Sequence, residues 1–148
     1  MFSKWFSDQS LLKVGFDDVK LAIQNPDNHI VINTMNSDNQ GCLIKNTIDI
    51  QLEERVINEL LQKQLFNDKR FIIYGKNATD NTAEKKYKQL VSLGFQHVYI
   101  YSGGMFEWSL LQDIYGTEEF PTTKIVADIL RCKPPLITFG RIPLLTHY

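Results

Sequence analysis

Three short runs of β-branched and aromatic residues occur along this chain, and they restrict its fold more than any other feature. The runs are HIVIN at residues 29–33, RFIIY at residues 70–74 and VYIY at residues 98–101. Each run is typical of a buried strand. Ligands of parallel α/β sheets bind beyond the carboxyl ends of the strands, so the loops that follow these runs are the first candidates for a site.

The segments between the strands have apolar residues at helical spacing and predict helices. These helices cover residues 16–24, 52–65, 79–93 and 105–114. Asp17 or Asp18 is placed to cap the first helix, and Gly94 ends the third. Residues 43–50 predict a further strand or extended segment, and residues 124–131 a short helix. The alternation predicts an α/β domain with a mostly parallel central sheet flanked by helices.

Charge and cysteine usage narrow the classes of function. The net charge of -1 gives no reason to expect binding to nucleic acid. The cluster of Lys85, Lys86 and Lys88 is therefore interpreted as a solvated helix face. Cys42 and Cys132 form no CxxC pair, so neither a metal site nor a cofactor is expected. Their spacing favours a reducing compartment, the cytoplasm.

The 148 residues fit one domain with an extension at each end. Residues 1–13 are predicted to form an N-terminal arm and residues 14–116 the domain. Residues 117–148 form a C-terminal extension, which we expect to pack on the domain because its apolar residues are costly to expose. The alternative is that the extension binds a partner.

The N-terminal arm has aromatic residues at Phe2, Trp5 and Phe6 but no signal-peptide pattern. We expect it to pack on the domain. The alternative is a short amphipathic helix on a membrane surface. No apolar run in the chain reaches the roughly 18–20 residues that span a bilayer.

A set of motifs in the second half of the domain matches a known pattern in both spacing and residue type. A buried strand, a helix that ends in Leu-Gly-Phe, another strand, a Gly-Gly turn and a tryptophan follow one another. This segment resembles the rhodanese-like family of sulfurtransferase folds. A weaker resemblance lies upstream, at residues 30–33 and 41–46. The matching pieces are Ile72-Ile73-Tyr74, Leu93-Gly94-Phe95, Val98-Tyr99-Ile100, Gly103-Gly104 and Trp108.

The resemblance covers roughly residues 14–116 and implies a three-layer fold. It also implies a reaction. In this family a cysteine thiolate lies in the loop after the strand that ends in Tyr-Cys. Backbone N–H groups and a helix N-terminus stabilise the thiolate and its persulfide, and the sulfur then passes to an acceptor. Related phosphatases use the same cradle for a phosphate, which an arginine clamps.

This chain departs from the family pattern at the position of the nucleophile. The residue after Tyr74 is Gly75, which has no side chain, and the following loop contains neither cysteine nor arginine. Asp80 adds a negative charge to a cradle for anions, and Lys76 offsets it only in part. No catalytic residue is assigned. The degenerate active-site loop consists of Gly75, Lys76, Asn77, Ala78, Thr79, Asp80 and Asn81.

Other side chains are weaker candidates for a nucleophile. Thr79 and Thr82 lie near the loop, but His29 and His97 are placed at strand starts, at the opposite end of the sheet. Cys42 stands where the family has a structural histidine, and we interpret it as a core residue.

Three further residues are given structural or surface roles. Cys132, beside Lys133, is interpreted as a surface thiol, Asn33 as a polar residue at a strand end, and Trp108 as a core anchor. The sequence thus predicts an inactive rhodanese-like domain that acts as a protein-binding or regulatory module with a protein partner. The alternative is a sulfurtransferase that carries persulfide sulfur on Cys42 or Cys132.

Overall fold

The computed structural model describes residues 11–141, with a four-stranded parallel sheet at the centre. The strands lie in the order β1-β4-β3-β2. The three predicted strands are confirmed with the predicted bounds. Strand β1 was not predicted, because two residues give no pattern to detect, yet it pairs in parallel with β4 at the edge of the sheet. The strands are β1 (Lys13–Val14), β2 (His29–Asn33), β3 (Arg70–Tyr74) and β4 (Val98–Tyr101).

Helices join the strands, as the alternating pattern predicts. The second helix begins earlier than expected because Asp49 caps it by accepting a hydrogen bond from the N–H of Gln51. It ends earlier because Gln64 adopts a positive φ of 57°. The helices are α1 (Phe16–Gln24), α2 (Ile50–Gln62), α3 (Thr82–Ser92), α4 (Gly104–Tyr115) and α5 (Thr138–Arg141), with a 3₁₀ turn at Ser37–Asn39.

Two local predictions are corrected. Residues 124–131 form no helix, because hydrogen bonds outside a helix engage this segment. The carbonyl of Lys124 accepts from Cys42 Sγ and Thr122 Oγ1, and the Asp128 side chain accepts from the N–H of Leu130. Residues 43–49 form no strand, and only Ile44 and Thr47 make isolated bridges, because Asn46 turns the chain with a φ of 66°. Ile50 already belongs to α2.

The helices cover both faces of the sheet, which confirms the three-layer fold. On one face Val31, Ile72 and Tyr74 pack with apolar residues of α1 and α4. On the other face Ile32 and Ile73 pack with α2 and α3. Successive residues of a strand point to opposite faces, so fully apolar strands are needed to fill two cores.

The C-terminal extension completes the first of these cores. Phe120 and Cys132 are both buried there, and Trp108 donates from its indole N–H to the carbonyl of Pro121 at 3.1 Å. The interpretation of Cys132 as a surface thiol is therefore wrong, since only 2% of this residue is exposed. Trp108 is fully buried, as predicted.

The aromatic residues Phe2, Trp5 and Phe6 lie outside the described residues, so their predicted packing stays a prediction. Among residues 11–141, no helix combines the length and apolar character needed to cross a lipid bilayer.

Candidate functional site

The loop from Gly75 to Asn81 lies at the carboxyl edge of the sheet, between β3 and α3. Its backbone rests on the start of α4. The carbonyl of Gly75 accepts from the N–H of Met105 at 3.0 Å, and the carbonyl of Lys76 accepts from Phe106 at 2.9 Å. Two N–H groups of the first turn of α4 therefore hold the loop in position.

Gly104 permits this close approach of two backbones. It has a φ of +67°, and a Cβ atom there would lie 2.6 Å from the carbonyl oxygen of Gly75. Only glycine combines this conformation with the absence of a side chain. The Gly-Gly turn that the sequence singles out is thus the support beneath the loop.

The carboxylate of Asp80 turns back into its own loop. Its Oδ2 accepts from the N–H of Lys76 at 3.2 Å, and its Oδ1 accepts from the N–H of Thr82 at 2.9 Å. These donors come from the start of the loop and the first residue of α3. Inward N–H groups at a helix N-terminus form an anion site, and here an anion of the chain itself accepts from them.

The pKa of Asp80 follows from these contacts. Burial of the carboxyl raises its pKa. The N–H groups of Thr82 and Lys76, the Thr82 hydroxyl and the Lys76 ammonium lower the pKa, and their combined effect is larger than that of burial. The net pKa lies below the ordinary value of 3.8, so the carboxylate is ionised at neutral pH.

Position 75 faces this carboxylate. A Cβ atom built on Gly75 would lie 2.8 Å from Asp80 Oδ2 and 3.2 Å from Thr34 Oγ1. The Thr34 hydroxyl is itself fixed by a 2.7 Å hydrogen bond with the Thr82 hydroxyl. The space that a side chain at position 75 would enter is therefore filled by other residues of the chain.

Asn77 ties the middle of the loop to the C-terminal extension. Its Oδ1 accepts from both the N–H and the hydroxyl of Thr79, and its Nδ2 donates to the carbonyl of Cys132 at 2.9 Å. Asn77 is buried, with 6% of its surface exposed. Sequence reasoning missed this contact. The sequence signal for this residue is the tendency of an asparagine side chain to form a hydrogen bond with the backbone two residues later. That tendency does not indicate a contact with Cys132.

Comparison with known proteins identifies the family. The sequence model of the protein family described as "Rhodanese-like domain" matches residues 15–111, about two thirds of the chain. This chain belongs to the rhodanese-like family. No curated protein matches the sequence.

Solved structures share the rhodanese-like fold at low sequence identity. The BH2092 protein from Bacillus halodurans is 24% identical, with a TM-score of 0.54 over 78% of this chain and 80% of that chain. Ygr203w, described as a yeast protein tyrosine phosphatase of the Rhodanese family, is 17% identical, with a TM-score of 0.57 over 83% and 99%. The As-Sb reductase from Leishmania major is 18% identical, with a TM-score of 0.52 over 72% and 79%.

Both cysteines of this rhodanese-like domain lie in the core on the α1–α4 side of the sheet. Cys42 is buried, as predicted, and its Sγ donates to the carbonyl of Lys124 at 3.2 Å. Burial raises the pKa of the Cys132 thiol, although the charges of Arg131 and Lys76 act in the opposite direction. A buried thiol with a raised pKa is a poor nucleophile, because the thiolate is the reactive form.

Asn33, the last residue of β2, has structural partners near the site. Asn33 Oδ1 accepts from the N–H of Met35 and from Gln40 Nε2, as expected of a strand-end residue.

His29 begins β2 and His97 precedes β4, so both lie at the edge of the sheet opposite the loop, as predicted. The third histidine, His147, lies outside the described residues. Within residues 11–141, no group of three His, Cys, Asp or Glu side chains is arranged to hold a metal ion.

The hydroxyl of Tyr74 at the end of β3 is also engaged in the core. It accepts from the N–H of Ile44 at 3.1 Å and shares a 2.7 Å hydrogen bond with Thr47. Burial raises the pKa of Tyr74 well above its ordinary value, and hydrogen bonds to Thr47 and Ile44 offset only part of this. The phenol stays neutral near physiological pH and anchors the segment upstream of α2.

Proposed function

We propose that this rhodanese-like domain is catalytically inactive and serves as a protein-binding or regulatory module. One observation supports this proposal above all others. The Asp80 carboxylate accepts from the N–H groups of Lys76 and Thr82, where an active member of the family would stabilise a thiolate or a bound anion. With Gly75 beside it, the loop has neither a nucleophile nor an open anion site.

Electrostatics support the same conclusion. A thiosulfate, a phosphate or a persulfide in this loop would be an anion next to an ionised carboxylate. Like charges at contact distance oppose one another, and the N–H groups that would compensate already bond to Asp80. Lys76 is the only cationic residue of the loop, and it partly neutralises Asp80.

The proposal places the module within residues 14–116, with residues 1–13 as an arm and residues 117–148 as an extension that packs on it. Apolar side chains of the extension remain exposed, among them Ile125, Leu136 and Phe139. Exposed apolar area of this kind is typical of surfaces that bind other proteins. The cytoplasmic location that the cysteines suggest stays a prediction.

A sulfur-transfer assay tests the proposed inactivity. The purified chain is supplied with thiosulfate or mercaptopyruvate and with cyanide, and thiocyanate is measured against a heat-inactivated blank. We expect no thiocyanate above the blank. Turnover that survives in wild type and disappears in Cys42→Ser or Cys132→Ser would replace this proposal with the alternative of a displaced cysteine.

Restoring a thiol at position 75 tests the role of Asp80. We expect Gly75→Cys alone to transfer little sulfur, because its Cβ would lie 2.8 Å from Oδ2 of the Asp80 carboxylate. Combining it with Asp80→Ala removes the internal anion and should raise the rate at least about tenfold over the single variant. Gly75→Ala with Asp80→Ala is the matched control without sulfur. High activity of the single variant would show that Asp80 does not block the loop.

The displaced-cysteine alternative draws on one contact. Asn77 bonds to the carbonyl of Cys132, so the backbone of this residue touches the loop. In such a reaction Cys132 Sγ would bond to the outer sulfur of thiosulfate, the S–S bond of thiosulfate would break, and sulfite would leave. Mass spectrometry after incubation with thiosulfate would then show one added sulfur atom on Cys132. We expect none, because the thiol is buried and its pKa is raised.

A further inference from the structure

The first part of the C-terminal extension is held firmly by the domain. This proximal extension, residues 117–124, contributes Phe120 to the core, where it packs edge-on against Trp108 with 5.0 Å between the ring centroids. The carbonyls of Phe120, Pro121 and Lys124 all accept hydrogen bonds from side chains of the domain. Burial and several hydrogen bonds thus hold the proximal extension in place.

The distal extension, residues 125–140, is attached much more weakly. Within residues 11–140, only two hydrogen bonds join it to the domain, from Asn77 to the carbonyl of Cys132 and from Arg131 to the carbonyl of Cys42. Cys132 is the one buried residue of this segment, and Val126 is half-buried against the core. Little apolar area therefore holds the segment in place. Its exposed large apolar residues are Ile125, Leu130, Leu136, Ile137 and Phe139.

Asn77 makes the stronger of the two hydrogen bonds to the distal extension. Its Nδ2 lies 2.9 Å from the Cys132 carbonyl, whereas the guanidinium of Arg131 lies 3.5 Å from its acceptor, which is long for a hydrogen bond. The Asn77 side chain is buried, and Thr79 fixes its orientation by donating twice to Oδ1. Loss of a buried hydrogen bond of this kind leaves both groups unpaired, which is unfavourable unless water reaches them.

We propose that the distal extension opens as a unit while the proximal extension and the domain stay folded, and that Asn77 holds it closed. Opening exposes the Cys132 thiol and frees the side chain of Asn77, so the degenerate loop and the distal extension change state together. The opening breaks two hydrogen bonds and removes one buried side chain from the core, so it needs less free energy than global unfolding. Cys42 stays covered in the open form, because its Sγ remains bonded to the carbonyl of Lys124 in the proximal extension. This conformational device goes beyond the proposed binding function and does not depend on it.

The test compares the two buried thiols within one molecule. The full wild-type chain is incubated with iodoacetamide under native conditions, and alkylation of Cys42 and Cys132 is followed by mass spectrometry of their peptides. Each rate is divided by the rate of the same cysteine in the urea-unfolded chain, which removes differences in intrinsic reactivity. A buried thiol reacts only while it is exposed by an opening, so this ratio measures the population of the open form. We expect the ratio for Cys132 to be at least about tenfold higher than that for Cys42.

Urea distinguishes opening of the distal extension from unfolding of the whole chain. The effect of urea on an equilibrium scales with the surface that becomes exposed. Below the unfolding transition, urea should therefore leave the alkylation rate of Cys132 nearly constant and raise that of Cys42 steeply. Equal normalised rates for the two cysteines would overturn the proposal. With a steep urea dependence they would indicate global unfolding, and with a shallow one they would indicate release of the whole extension.

Two substitutions separate closure of the distal extension from the stability of the domain. Asn77→Ala removes the hydrogen bond to Cys132 and should raise the alkylation rate of Cys132 at least about tenfold. Ile57→Val is the control, since Ile57 packs in the core on the other face of the sheet. It should raise the rate of Cys42 about fivefold by destabilising the domain and leave that of Cys132 unchanged. The proposal is wrong if Ile57→Val raises both rates equally or if Asn77→Ala leaves the Cys132 rate unchanged.

Discussion

Two neighbouring loops at the carboxyl edge of the sheet differ in the residues that determine their conformation. The turn after β4 keeps its glycines, and Gly104 supports the backbone of Gly75 through a contact that excludes any side chain. The loop after β3 lies on that support, and its Gly75 faces the carboxylate of Asp80, which accepts from the N–H groups of Lys76 and Thr82. The comparison teaches that the path of a loop and its chemistry depend on different residues.

The loop after β3 provides hydrogen-bond partners for its own polar groups. Asp80 satisfies the N–H groups of Lys76 and Thr82, and Asn77 satisfies the carbonyl of Cys132. Buried or half-buried donors and acceptors therefore have partners without any ligand, which avoids the cost of leaving them unpaired. The following predictions test how strongly each loop depends on its own residues.

The largest effect is expected in the supporting turn. Gly104→Ala forces a side chain into the carbonyl of Gly75 at a φ of +67° and should lower the free energy of unfolding by about 3 kcal/mol. Gly41→Ala is the control, because no atom lies within 4 Å of the new Cβ and its φ lies outside the left-handed region. The control should change the free energy of unfolding by less than about 0.5 kcal/mol. Urea unfolding measures both, and equal losses would contradict the support role of Gly104.

A smaller effect is expected where the loop meets the extension. Asn77→Ala leaves the carbonyl of Cys132 without its donor and should lower the free energy of unfolding by about 2 kcal/mol. Asn39→Ala removes a surface hydrogen bond to Asn36 and should cost less than about 0.5 kcal/mol. Limited proteolysis should also cut residues 117–141 faster in Asn77→Ala. An unchanged cleavage rate would show that the extension does not depend on the loop.

The smallest effect, and the one with a pH signature, is expected at Asp80. Asp80→Asn keeps the size of the side chain but leaves it only one acceptor oxygen. It should lower the free energy of unfolding by under about 1 kcal/mol at pH 7, because the group is partly solvated. The folded pKa lies below the ordinary value of 3.8, so the contribution is complete above that value and is lost as the pH falls through the folded pKa. Chemical unfolding of wild type and variant over a pH series should show that the difference between their free energies of unfolding becomes smaller as the pH falls below 3.8.

Asp38→Asn is the control for this pH dependence, since Asp38 is exposed and lies outside the loop. Its free energy of unfolding should stay within about 0.5 kcal/mol of wild type. A difference between wild type and Asp80→Asn that is constant down to the lowest pH would contradict the ionised state assigned to Asp80.

The strands and the three-layer arrangement could be predicted because their signals are local. The runs at residues 29–33, 70–74 and 98–101 are strands with those bounds, since a short apolar, β-branched run has few other stable conformations. The turn at Gly103-Gly104 and the burial of Trp108 were also predictable, because glycine and tryptophan have restricted roles at such positions.

Long-range contacts explain what could not be predicted. Residues 124–131 have helical spacing, but their hydrogen bonds go to partners that no local pattern reveals, such as Cys42. The burial of Cys132 depends on a fold-back onto Asn77, 55 positions earlier in the chain. The sign of the Asp80 charge was evident from sequence, whereas its hydrogen bonds to Lys76 and Thr82 require the folded loop.

The 2.8 Å separation between Asp80 Oδ2 and the Cβ position of residue 75 has a consequence for redesign of this loop. A side chain introduced at position 75 requires the Asp80 carboxylate to move, and this movement weakens its hydrogen bonds to the N–H groups of Lys76 and Thr82. Substitutions at positions 75 and 80 should therefore have non-additive effects on the free energy of unfolding, so the two positions have to be redesigned together.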